Sequence, residues 1–131
     1  MPTEIDILCF AGVLLLVHIL LAARFTTRQY GTKWNMGARD QTMPPLNAVA
    51  GRLERARDNF LETLPLAIIL LTGAVLTSRT SSLTAIAGWT WLGARVAYLP
   101  LYWAGIPVLR TIVWCVSVAA LLVMLWAIWR H

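Results

Sequence analysis

Four long apolar runs, approximately Ile7–Ala23, Phe60–Leu76, Leu83–Trp103 and Ile106–Trp129, fill most of a 131-residue chain and leave it little else to fold. Each is close to the ~17–25 residues a helix needs to cross a bilayer. Charged residues make up 13% of the chain, about half the ~25% usual in soluble domains. The expected fold is an all-α integral membrane four-helix bundle. It forms one domain over residues 1–131, with spans at approximately 5–25, 46–77, 82–103 and 106–129. The first run is read as a retained span, because Glu4 and Asp6 precede it and Arg24 and Arg28 follow it, the reverse of a cleaved leader.

The cations set the expected orientation. Arg24, Arg28, Lys33, Arg39, Arg52, Arg55 and Arg57 all lie between the first two spans, whereas Arg79 is alone between the second and third. By the positive-inside rule the long first loop is cytoplasmic and both termini lie on the opposite side. The net charge of +5 is accounted for by this topology signal and by attraction to anionic ligands; no nucleic-acid partner is needed.

The stretch Arg24–Asn47 reads as a loop closed by Pro44-Pro45, with the second helix expected to start near Pro45 or Leu46. Gly105 and Pro107 mark the last turn. Pro65 and Pro100 fall inside spans, where neighbouring helices tolerate them. Cys9 and Cys115 lie in apolar runs without metal-ligand spacing and are expected to be buried packing residues. His18, alone in the first span, is expected to pack or to hydrogen-bond between helices.

Chemistry concentrates at the foot of the second span. On a helix, Arg52, Arg55, Asn59 and Glu62 share an arc of about 80° and form one polar stripe. With the expected topology, Arg24 and Arg28, this stripe, the Arg95/Tyr98/Tyr102 set and Arg110-Thr111 all lie at one level of the membrane. The opposite half is expected to be nearly dry. Ionisable groups at membrane depth pair, line an interior or hold a ligand. An excess of arginine favours a ligand with carboxylates. Glu62 and Asn59 add an acceptor for an ammonium and a partner for a peptide amide. Glu54 and Arg57 fall off the stripe and are expected to be solvated.

Glu54-Arg55-Ala56, Asn59-x-x-Glu62 and Pro65, then Arg95 with Tyr102 and Arg110-Thr111, resemble the MAPEG family, membrane-associated proteins in eicosanoid and glutathione metabolism. Lys33-Trp34-Asn35 is similar to the loop of its bacterial members. The resemblance spans nearly the whole chain. It implies a homotrimer in a bacterial inner membrane, with glutathione bound as co-substrate between adjacent subunits and open to the cytoplasm. It further implies that Asn59 and Glu62 contact the peptide and its amino group, while Arg55, Arg95 and Arg24 or Arg28 meet carboxylates or support the site, with Tyr98 beside them. Tyr102 corresponds to the family's site tyrosine, and Arg110 to the arginine that stabilises the thiolate in the eicosanoid enzymes, with Thr111 where some members have serine. Asp58 departs from the pattern: several eukaryotic members have arginine there, so the ligand class widens from glutathione to an anionic thiol peptide.

The implied function is a glutathione-dependent transferase or peroxidase-like enzyme that activates the thiol for attack on a hydrophobic electrophilic small molecule. A thiol with pKa about 8.5 is mostly protonated at neutral pH, and lowering that value by ~2 units requires ~2.7 kcal/mol of differential stabilisation. One arginine and a hydroxyl in a partly desolvated site can supply it. Two other readings stay open: a small four-helix transporter, and a non-catalytic glutathione- or lipid-binding scaffold.

Overall fold

The structure, a computed structural model, describes residues 1–130 and contains five helices: α1 (Thr3–Tyr30), α2 (Thr32–Met36), α3 (Ala48–Leu76), α4 (Ser82–Ala104) and α5 (Pro107–Trp129). Among the described residues there is no strand. Three helices, α1, α3 and α5, are long and apolar enough to cross a membrane. The fourth expected span, α4, is 23 residues long. Its Thr, Gly, Trp and Tyr residues, together with Arg95, dilute its aliphatic content below that of the other three.

Local chemistry explains where the helices start and stop. The second long helix begins two to three residues later than Pro45 or Leu46, because Asn47 caps it: the side-chain oxygen accepts from the Ala50 amide at 2.9 Å. At α4 the Ser81 and Thr84 side chains exchange hydrogen bonds with each other's backbone amides in a capping box. Gly105 takes the left-handed conformation that ends α4, and Pro107 opens α5, as its spacing predicts. The first connection is shorter than expected, since α1 continues through Arg24 and Arg28 to Tyr30 and Lys33-Trp34-Asn35 lie within α2.

In cross-section the four long helices form a rhombus. The central helices α3 and α4 touch each other and both outer helices, while α1 and α5 do not meet. Ile7, Ala11 and Leu14 of α1 pack against Leu53, Ala56, Phe60, Leu64 and Ala67 of α3, with Trp91 of α4 and Met124 of α5 completing the core. Close approach is tightest at Gly88, where an added Cβ would stand 2.6 Å from Ile7 Cδ1 and 3.2 Å from Leu71 Cδ2. Gly12, Gly73 and Gly93 meet nothing at that range.

Large aliphatics such as Leu20, Ile69, Ile86, Val108 and Leu122 cover the outside, a surface suited to hydrocarbon and unsuited to water. Cys9 and Cys115 belong to that outer surface. The expectation that they are buried is therefore corrected: an apolar run on an outer helix places most of its positions away from the core.

Candidate functional site

The antiparallel helices bring the end of α1, the start of α3 and the α4–α5 turn together at one end of the molecule. Phe25 packs edge-on against Trp103, with ring centroids 5.6 Å apart. Arg52 Nε donates to the Trp103 carbonyl at 2.9 Å. That bond occupies one of the orphan carbonyls at the end of α4, so Arg52 serves there as a cap.

Beside this clamp runs a chain of polar and aromatic groups across three helices. Arg95, fully buried, donates from Nη1 to Asn59 Oδ1 at 3.0 Å. Its guanidinium carbon lies 4.3 Å from the Tyr98 ring centroid and 5.4 Å from that of Phe60. Tyr98 and Tyr102 meet edge-to-face at 5.5 Å. Arg110 lies over the Tyr102 ring at 4.6 Å and donates a long hydrogen bond, 3.5 Å, to the Tyr98 hydroxyl. Two arginines thus share one tyrosine pair.

Arg95 and Arg110 have no carboxylate within ion-pair distance among the described residues, where the ion pairs join Arg57 to Glu54 and Asp58. Arg95 Nε and Nη2, both buried, also lack hydrogen-bond partners. Aromatic faces offset part of the cost of burying the charge, and the free N–H groups remain as unused donors. Asp58, the departure from the family pattern, holds Arg57 at 3.0 Å. Arg57 and Glu54 form a partly exposed pair rather than separately solvated charges.

Asn59, Arg95, Tyr98, Tyr102 and Arg110 therefore form one connected group. Arg55 and Glu62 lie on the same side of α3 but are exposed, on the outside of the single chain. Arg24 and Arg28 are also exposed. Thr111 is exposed, and its hydroxyl donates to the Pro107 carbonyl at 3.1 Å. The side chains on the inner face of α3 are Leu53, Ala56 and Phe60, one step round from the polar stripe.

Sequence reasoning missed what lies beneath Arg95. The His18 ring stacks on Phe60 at 5.0 Å, and Phe60 on Trp91 at 6.1 Å. His18 takes the packing role, with both ring nitrogens buried and without hydrogen-bond partners among the described residues. The available signal was aromatic spacing, Trp91, Tyr98 and Tyr102 on one face of α4. At the opposite end the buried role of Glu4 was also missed. That residue is buried and accepts from the Thr84 hydroxyl at 2.6 Å, so that half of the molecule is not dry.

The sequence model described as MAPEG family matches residues 7–129 of the chain. Neither the curated proteins nor the solved structures include a significant match.

Proposed function

Because the chain belongs to the MAPEG family, we propose that it is a membrane-bound enzyme that activates the thiol of glutathione for attack on hydrophobic electrophiles, in transferase or peroxidase-like reactions. Family membership and three bilayer-length apolar helices make it a membrane protein. In the proposed arrangement α4 is the fourth span, the α1–α3 connection faces the cytoplasm of a bacterium, and three copies associate in the inner membrane. Arg55 and Glu62, turned outward from one chain, then face a neighbouring copy.

The observation that carries this reading is the Arg95–Tyr98–Tyr102–Arg110 chain, two arginines on shared aromatic faces with no carboxylate within ion-pair distance among the described residues. Such a group is organised for an anion before the anion arrives, the arrangement that favours a developing thiolate. In this scheme Arg95, oriented by Asn59, receives a glutathione carboxylate. Glu62 takes the amino group, while Arg55 and Arg24 or Arg28 close on the other carboxylate. Arg110 and the Tyr102 hydroxyl stabilise the sulfur anion. The thiol proton leaves to solvent at the open end, and the electrophile enters from the bilayer.

Titrating the detergent-purified protein with glutathione, recording thiolate absorbance and then adding a generic aryl halide tests the scheme. Thiolate absorbance followed by conjugate formation is the expected result. Binding without turnover makes the protein a scaffold, and failure to bind overturns the assignment.

A further inference from the structure

A cavity lies outside the site just described. The connection from α1 to α3 folds into a compact loop whose ends are tied together. Gln29 Nε2 donates to the Pro45 carbonyl at 3.0 Å, the Asn47 amide donates to Gln29 Oε1 at 2.7 Å, and the Tyr30 hydroxyl donates to the Pro44 carbonyl. Loops closed in this way are often functional. This one surrounds a cavity of about 530 Å³ lined by Tyr30, Lys33, Trp34, Arg39, Asp40 and Met43 among others.

Arg39 is held unusually firmly for an exposed side chain. Its backbone is left-handed, φ 60°, a conformation that costs a residue with a Cβ ~1–2 kcal/mol. Its guanidinium lies 4.5 Å from the Trp34 ring centroid and donates to the Asn35 carbonyl at 3.1 Å. Trp34 is in turn braced edge-on by Tyr30 at 4.8 Å. Non-glycine residues keep such backbone conformations where their surroundings impose them, and these cases concentrate at ligand sites.

The position relative to the bilayer narrows the ligand. The apolar run of α1 ends at Ala23 and the helix continues to Tyr30, ~10 Å further along its axis at 1.5 Å per residue. That distance matches the headgroup layer beside the hydrocarbon core. Tyr30 and Trp34 are the residue types that settle at this depth. The cavity offers two cations, Lys33 and Arg39, and one carboxylate, Asp40, none of them in an ion pair among the described residues.

We propose that this loop binds a phospholipid headgroup, with the phosphate between Lys33 and Arg39 and Asp40 receiving a primary ammonium. The charge pattern of two cations and one anion matches a phosphoethanolamine headgroup better than a singly anionic one. The site is separate from the Arg95–Arg110 group, so the proposal does not depend on the enzyme activity.

Native mass spectrometry of the full-length protein, delipidated and then titrated with phosphatidylethanolamine or phosphatidylglycerol, tests it. The expected result is retained phosphatidylethanolamine, weakened about fivefold by each of Lys33→Ala and Arg39→Ala. Asp40→Asn is expected to shift the preference toward phosphatidylglycerol. Equal retention by wild type and Arg39→Ala overturns the site, and a wild-type preference for phosphatidylglycerol overturns the role of Asp40. Soluble phosphoethanolamine binding as tightly as the lipid assigns the cavity to a free phosphate compound and overturns the lipid. All three residues are exposed, so loss of the fold does not confound the comparison.

Discussion

The two ends of the helix rhombus solve the same problem in opposite ways. At the end holding the chain's N-terminus, the polar groups close on one another. The buried Glu4 carboxylate accepts from Thr84, Thr84 and Ser81 cap α4, and Arg79 donates to the Ile128 carbonyl at 2.9 Å. At the other end Arg95 is fully buried with two guanidinium nitrogens unpartnered among the described residues, and Arg110 rests on a tyrosine ring with none of their carboxylates in ion-pair distance. Closed polar groups hold helices together. Open ones in low dielectric retain the capacity to bind something else.

The largest expected effect tests the open end directly. Arg110→Ala is expected to lower turnover with glutathione by a factor of about 10²–10³, the cost of losing one preorganised donor to a developing anion. Thiolate absorbance should fall in parallel while helical circular dichroism is retained. Unchanged thiolate absorbance and turnover would sink the role given to Arg110.

A second substitution would convert the open end into a closed one. Asn59→Asp places a carboxylate where Asn59 Oδ1 now accepts from Arg95 at 3.0 Å. The expected outcome is a raised melting temperature with glutathione affinity reduced tenfold to a hundredfold, about 1.5–3 kcal/mol for one charge-assisted hydrogen bond diverted from the ligand. If affinity is unaffected, Arg95 does not bind the ligand.

The closed end makes the converse prediction. Thr84→Val removes the hydroxyl that donates to Glu4 and half of the capping box. It is expected to cost about 1–3 kcal/mol of stability, read as a lower melting temperature, with turnover per folded molecule unchanged. A fall in turnover per folded molecule would show that the two ends are coupled.

How far the sequence was legible differs between these ends. Hydropathy located the long helices, and arginine spacing gathered Asn59, Arg95, Tyr98, Tyr102 and Arg110 at one level, because helical period and antiparallel topology are both readable in one dimension. Whether a residue near a polar stripe faces the core is not: Arg55 and Glu62 sit on the outside of the chain beside Asn59, a rotation of one helix position that depends on how α3 packs against α1 and α4. The burial of Glu4 was not foreseen because the residue precedes the apolar run and reads in sequence only as a flanking charge. Its burial depends on Thr84, 80 residues away in sequence, and such a pairing leaves no local signal. The aromatic stack beneath Arg95 was hidden for the same reason, since His18, Phe60 and Trp91 come from three different helices.

The smallest expected effect concerns a residue at the open end whose side chain is already closed on its own helix. Thr111 follows Arg110 in the first turns of α5, yet its hydroxyl donates to the Pro107 carbonyl at 3.1 Å. In a helix that bond satisfies the hydroxyl internally, so helping a sulfur anion would first require breaking it. Thr111→Val keeps the shape and removes the hydroxyl. Thiolate absorbance and turnover are expected to change by less than about threefold, under 1 kcal/mol by the usual conversion of rate to free energy. A loss approaching that of Arg110→Ala would mean that the hydroxyl swings to the thiolate when glutathione binds, and the open end would then include a donor that the unliganded chain keeps closed.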